Sequence, residues 1–176
     1  SCADCMLSRL CIPIALDADD IDRLDEIVAR GKPFKKGQAV YSQGEEFLSL
    51  YAIRSGSLKS VMLSTDGHEP ITGFYFAGEV IGLDGIGKRR YSSTAQALED
   101  TSICEIPYRR LDELSQELPS LQKHCMELMS NEIVTDRKLF TLLGKGDAQC
   151  RLAAFLLDIS SRNAQRKLSH TRFLLS

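Results

Sequence analysis

Between Lys32 and Pro107 the chain breaks into short runs rich in Val, Ile, Tyr and Phe. Glycine turns separate them at Lys36-Gly37, Gln43-Gly44, Ser55-Gly56, Asp66-Gly67 and Ala77-Gly78. Turn signals every 7 to 12 residues leave room for strands but not for helices. This stretch is therefore predicted to form an all-β barrel, roll or sandwich. Asp66-Gly67 is the strongest hairpin signal, lying between Leu58–Leu63 and Pro70–Phe76. The last β run is read as Ala95–Ile106, with Cys104 near its end. Helical patterns flank the β region. Ile21, Leu24, Ile27 and Val28 recur at helical spacing over Asp19–Gly31, where Gly31 supplies the stop. After Pro107 come a short amphipathic stretch, Tyr108–Glu117, and a long helix from near Pro119 to near Gly144. Gly144-Lys145-Gly146 reads as a hinge, and Asp147 can cap a last helix over Ala148–Ala164. The fold class is α+β.

Composition narrows the function. With 43% hydrophobic and 26% charged residues the 176-residue chain is globular. Its 22 Lys+Arg against 24 Asp+Glu give a formal charge of −2, so it lacks the basic excess of a free-standing nucleic-acid binder. The longest apolar runs are far too short for a membrane span. The chain starts at Ser1 without an initiator Met or a basic-then-apolar leader. It is read as processed or a fragment, with nothing that directs secretion.

Six cysteines are the informative excess: Cys2, Cys5, Cys11, Cys104, Cys125 and Cys150. A chain of this size can build a core without disulfide staples, and three thiols within the first eleven residues point to metal or redox chemistry in a reducing cytoplasm. The spacing Cys2-x2-Cys5-x5-Cys11 lacks the second close pair of a zinc ribbon. A three-plus-one set suits an iron–sulfur centre better, since each iron takes one thiolate. For Cys125 and Cys150 the plainer reading is a small buried hydrophobe. Spacing does not decide whether Cys104 supplies the fourth thiolate.

The long helix argues for a partner. Met126, Ile133 and Phe140 lie seven apart, as do Met129, Asp136 and Leu143, which together give the 3–4 spacing of a coiled-coil seam. A second stripe, Leu121, Cys125, Leu128, Leu139 and Leu142, can face the β domain. In a two-fold seam Asp136 meets its own copy. Two such charges about 5 Å apart at an effective dielectric near 20 repel by roughly 3 kcal/mol, which weakens a dimer without abolishing it.

Phe76-Ala77-Gly78-Glu79-Val80-Ile81-Gly82-Leu83 and Tyr91-Ser92-Ser93-Thr94-Ala95 resemble the phosphate cassette of cyclic-nucleotide-binding domains. In that family a Gly-Glu turn holds the ribose and an Arg before Ser or Thr pairs with the cyclic phosphate. Here Tyr91 stands at the Arg position, and Arg90, one residue away, is expected on the opposite face of a strand. The resemblance implies the fold, and no cyclic nucleotide is expected as ligand.

The cysteine arm, Leu10-Cys11-Ile12-Pro13, Lys36-Gly37-Gln38, Ser49–Gly56, Ile71-Thr72-Gly73-Phe74, Ala95–Glu99 and Cys104-Glu105-Ile106-Pro107 together resemble the FNR (fumarate and nitrate reduction regulator) family. That family is the oxygen-sensing branch of the cyclic AMP receptor protein superfamily. The resemblance implies a cyclic-nucleotide-binding-like β-roll, or jelly-roll, followed by a long dimerisation helix. It implies a 4Fe–4S cluster held by Cys2, Cys5, Cys11 and Cys104, which oxygen degrades to a 2Fe–2S form, so that a homodimer dissociates and releases promoter DNA. Met126, Met129, Ile133, Asp136 and Phe140 match the family's dimer helix. Ser55, Thr65, Asp66, Gly67, His68 and Asp100 match its surfaces for RNA polymerase. On this reading 1–11 is the cluster-binding arm, 12–118 the β-roll sensor and 119–144 the dimerisation helix. Residues 145–176 begin a DNA-binding domain whose helix-turn-helix is absent, and the protein is an oxygen-responsive, cytoplasmic transcription regulator with no enzymatic constellation.

Two departures stand out. Met6 follows the second cysteine where the family commonly has a small residue, and Gln122 replaces an Arg that would pair with Asp112 across the dimer. The competing readings are an iron–sulfur electron-transfer protein, a zinc-stabilised effector domain and a cyclic-nucleotide sensor.

Overall fold

The structure, a computed structural model, describes residues 1–2, 4–5, 11–144 and 147–169. The chain divides into two compact units, Ser1–Leu128 and Met129–Ser176.

The first unit opens with a 3-10 turn, Ile12–Ala15, and helix α1, Ala18–Ile27. Asp17 caps α1 by accepting the Asp20 amide at 3.0 Å, and Asp19 and Asp20 lie in the first turn, where acidic side chains complement the helix dipole. Eight strands follow: β1 Ala29–Arg30, β2 Ala39–Tyr41, β3 Ser49–Ser55, β4 Ser57–Val61, β5 Ile71–Phe76, β6 Val80–Ile81, β7 Thr94–Ala97 and β8 Ser102–Pro107. They form two antiparallel sheets, in the orders β1-β8-β3-β6 and β2-β7-β4-β5. The expected β region is thus a roll of two four-stranded sheets, and its class is α+β. Leu58, Ile53, Ile81 and Leu24 join one buried cluster with Leu111 and Leu121 of the helices that follow. Asp66-Gly67 does turn the chain between β4 and β5, within the longer loop 62–70. Gly56, between β3 and β4, has φ +87°, and a Cβ there would stand 2.4 Å from Thr101 Oγ1, so backbone and space both demand glycine.

Two sequence expectations need correction. Helix α1 does not reach Gly31. Val28 is already extended, and Ala29 and Arg30 pair with Glu105 and Cys104 of β8. A β-branched residue at the junction and an available strand edge outweigh one more helical turn. Nor is Ala95–Ile106 one strand. β7 lies in one sheet and β8 in the other, and 98–101 crosses between them, with the Leu98 amide and Thr101 hydroxyl both near the Ser57 carbonyl. Cys104 therefore sits inside β8, two residues from its start, rather than near a strand's end.

Helix α2, Tyr108–Glu117, and helix α3, Pro119–Leu143, match the expected spans. They break at Leu118, whose extended backbone suits a residue before proline, and Pro119 then opens α3 without losing a needed amide donor. Leu121 is fully buried, and Cys125 and Leu128 pack against the roll's core. In the second unit, α4 spans Ala148–Gln165 and Asp147 accepts the Cys150 amide at 2.9 Å, the expected cap. Lys145 and Gly146 of the expected hinge, and Met6, lie outside the described residues.

Candidate functional site

Strand pairing puts Cys104 between two neighbours. In β8 it stands opposite Ala52 of β3 on one side and Arg30 of β1 on the other. The amino-terminal arm meets it there. The Cys2 amide donates to Asp25 Oδ1 at 2.7 Å, the Cys5 amide donates to the Cys2 carbonyl at 3.3 Å, and Cys11 precedes the 3-10 turn anchored by buried Ile12. As a result Cys2, Cys5, Cys11 and Cys104 all line one cleft, with Arg30 and Arg54 on its wall. The cleft holds about 480 Å³ of empty space, part of it continuous with solvent. Cys125 and Cys150 do not line it. Cys150 is exposed on α4, against the expectation that it is buried, because it occupies the solvent side of that helix's first turn.

The electrostatics oppose free thiolates. Burial, then the hydrogen bond and charge of Asp25, push the Cys2 thiol up to about 12. Burial likewise pushes Cys11 up to about 12, with the other cysteines adding to it. Burial raises Cys104 too, and the guanidiniums of Arg30 and Arg54 work against that rise. Burial also disfavours the Asp25 carboxylate, but hydrogen bonds from Arg30 and Cys2 overcome it and hold that group down at about 2. Such thiols ionise when positive charge enters the cleft, which is how metal binding releases protons.

Among the described residues no three His, Cys, Asp or Glu side chains stand close enough together to hold one metal ion. A tetrahedral zinc with bonds of about 2.3 Å draws its sulfurs to within about 3.8 Å of one another. An iron–sulfur core takes each thiolate at a different iron, so its ligands stand further apart. Four soft sulfur donors line one cleft, the donor type that iron–sulfur centres use.

The remaining sequence-derived residues fall in three places. Ser55 pairs with Ser102 at the end of β3, beside Asp100, whose carboxylate takes a 2.6 Å bond from Lys35 Nζ. Thr65, Asp66, Gly67 and His68 form the exposed β4–β5 turn, closed by the Ser64 amide on the His68 carbonyl at 2.9 Å. On α3, Met126, Ile133 and Phe140 are 60%, 53% and 80% exposed, Asp136 is exposed, and Met129 is half-buried. In the cassette-like segment, Tyr91 is buried, stacks on Tyr41 with ring centroids 4.0 Å apart, and donates its hydroxyl to the Ser49 carbonyl at 2.7 Å. Arg90 lies in an isolated bridge rather than a strand and points outward, donating to the Gly44 carbonyl at 2.7 Å. Glu79 Oε2 accepts the Phe76 amide at 3.0 Å, so this carboxylate closes its own turn.

Asp25, Arg30 and Arg54 are site residues that the sequence reading missed. Asp25 lies in a run of acidic helix residues, Arg30 carries no motif, and Arg54 falls within the family-like Ser49–Gly56 stretch without any role read for it there. Their place is visible only from the register of β1, β8 and β3.

Known proteins resemble this chain in sequence and in fold. A cyclic nucleotide-binding domain family matches residues 31–117. The transcriptional activator protein Anr of Pseudomonas protegens is 48% identical over 175 residues, covering 99% of this chain and 72% of that protein. The fumarate and nitrate reduction regulatory protein of Escherichia coli K12 is 47% identical, covering 99% of this chain and 70% of that one. Among solved structures, FixK2 from Bradyrhizobium japonicum superposes with a TM-score of 0.71 at 20% identity, covering 82% of this chain and 80% of that one. The sensor domain of the regulator DNR from Pseudomonas aeruginosa gives 0.65 at 18% identity, covering 76% and 89%. These two establish the fold, and the sequence relatives establish more: the chain belongs to the FNR/Anr family of transcriptional regulators, which are not enzymes.

Proposed function

We propose that this chain is the sensory and dimerisation part of an oxygen-responsive, cytoplasmic transcription regulator of anaerobic metabolism, whose ligands for a 4Fe–4S cluster are Cys2, Cys5, Cys11 and Cys104. The observation that carries the proposal is the convergence of the arm's Cys2, Cys5 and Cys11 with Cys104, far away in sequence, on one cleft. Cys2, Cys5, Cys11 and Cys104 would hold the cluster, which would supply sensitivity to oxygen. This chain's own residues turn cluster binding into assembly. Ligation fixes the arm against Cys104. The arm runs through the buried Ile12 turn into α1, and α1 packs on α2 through Leu24 and Leu111 and through the Arg23–Glu117 ion pair. Leu118-Pro119 joins α2 directly to α3. A coupling of about 1–3 kcal/mol along such a route is typical of allosteric proteins. It is comparable to the roughly 3 kcal/mol of Asp136 repulsion in a two-fold seam of Met126, Met129, Ile133, Asp136 and Phe140. Arm loading would thus tip a marginal homodimer. The dimer would hold promoter DNA through a helix-turn-helix and meet RNA polymerase at Ser55 and Asp100 and at the Thr65–His68 turn. The buried ring of Tyr91 supports a regulator that has no cyclic nucleotide as ligand.

The test is an iron and acid-labile sulfide count on protein purified without oxygen, with sedimentation before and after exposure to air. Four irons and four sulfides per chain, lost in Cys104→Ser together with the dimer, are expected. Zinc without sulfide, or a Cys104→Ser variant that keeps its iron and sulfide, would overturn the proposal.

A further inference from the structure

Arg30 on the cleft wall and Asp25 beside it hold Cys2 from both ends. Asp25, near the end of α1, accepts the Cys2 amide at 2.7 Å. Arg30, in β1, places Nη2 3.4 Å from Cys2 Sγ and is ion-paired with Asp25. Arg30 also stands directly opposite Cys104 in the β1–β8 register, so one guanidinium lies beside the first and the last cysteine of the set. A helix-to-strand ion pair whose only role was structural would have no reason to engage the sulfur and the amide of one arm residue. Arg30 is fixed by a carboxylate, part-buried and forked, as residues that tune a metal ligand from behind commonly are.

We propose that Arg30, held in place by Asp25, is a positioning residue for the cluster. It aims the Cys2 sulfur at the cleft and donates an N–H to it. A hydrogen bond from a cation withdraws electron density from a ligating sulfur, which raises the reduction potential of an iron–sulfur centre and makes it harder to oxidise. The pair therefore sets how long the centre survives in air. This inference rests on the cluster reading above.

The test compares wild-type protein, Arg30→Met, Arg30→Lys and Asp25→Asn, all purified without oxygen. Iron and sulfide are counted, the midpoint potential is measured, and visible absorbance is followed on mixing with air. Arg30→Met is expected to lose its absorbance about tenfold faster than wild type, the low end of what removing such a supporting residue costs. Its potential should fall. Arg30→Lys, which keeps the charge, should recover part of both changes, and Asp25→Asn should lie between wild type and Arg30→Met. Wild-type decay and wild-type potential in Arg30→Met would overturn the proposal while leaving the cluster intact. Failure of Arg30→Met and Arg30→Lys alike to take up iron, with a lowered thermal midpoint in both metal-free variants, would also overturn it by making Arg30 a residue of the fold. Iron-free wild-type protein would instead defeat the cluster reading itself.

Discussion

Leu58 in β4 and Phe140 in α3 are both large apolar side chains at positions that a periodic pattern picks out. Leu58 has lost all contact with solvent, whereas Phe140 keeps 80% of its exposure. Around Leu58 the two sheets satisfy each other: Ile53, Ile81, Ala95 and Ile103 close the same buried cluster. Along α3 the stripe of Leu121, Cys125 and Leu128 is satisfied by the roll, while Met126, Ile133 and Phe140 face solvent. A core that closes on itself holds its shape whatever surrounds it. An apolar seam left open gains stability only from something outside the chain, so it is where an environmental signal of a few kcal/mol can act.

The contrast can be broken at its strongest point first. Leu58→Ala should lower unfolding stability by about 2–5 kcal/mol, measured by denaturant, because it leaves a cavity in a closed core. Asp136→Ala should tighten self-association by up to roughly 3 kcal/mol, about a hundredfold in dissociation constant, and so give dimers with or without metal. A metal-free Asp136→Ala protein that sediments as a monomer would mean that charge repulsion does not govern the seam. Phe140→Ser should change the unfolding free energy of the single chain by no more than about 0.5 kcal/mol, as expected for an exposed position, while weakening self-association. A large loss of chain stability in that variant would show the two regions to be less different than their exposures suggest.

Most of the architecture was legible because it follows from local chemistry. Glycine turns and β-branched runs marked the roll, and heptad spacing marked α3. Asp147 marked the cap of the last helix and Pro119 the start of α3. The two misread segment boundaries of the β region share one cause. Ala29-Arg30 looks like a helix end, and 98–101 looks like the middle of a strand. Each is decided by a pairing with residues far away in the chain.

By itself the sequence determined which residues can carry the chemistry: three clustered thiols, a fourth in the last β region, and a Tyr where a phosphate-binding Arg would stand. Only the tertiary structure decided that the fourth thiol faces the arm, that Arg30 lies beside it, and that Asp25 holds both Arg30 and the Cys2 amide. The physical reason is that donor type and spacing are properties of a segment. Which sulfur meets which cation depends on strand register, and register is fixed by burial across the whole sheet.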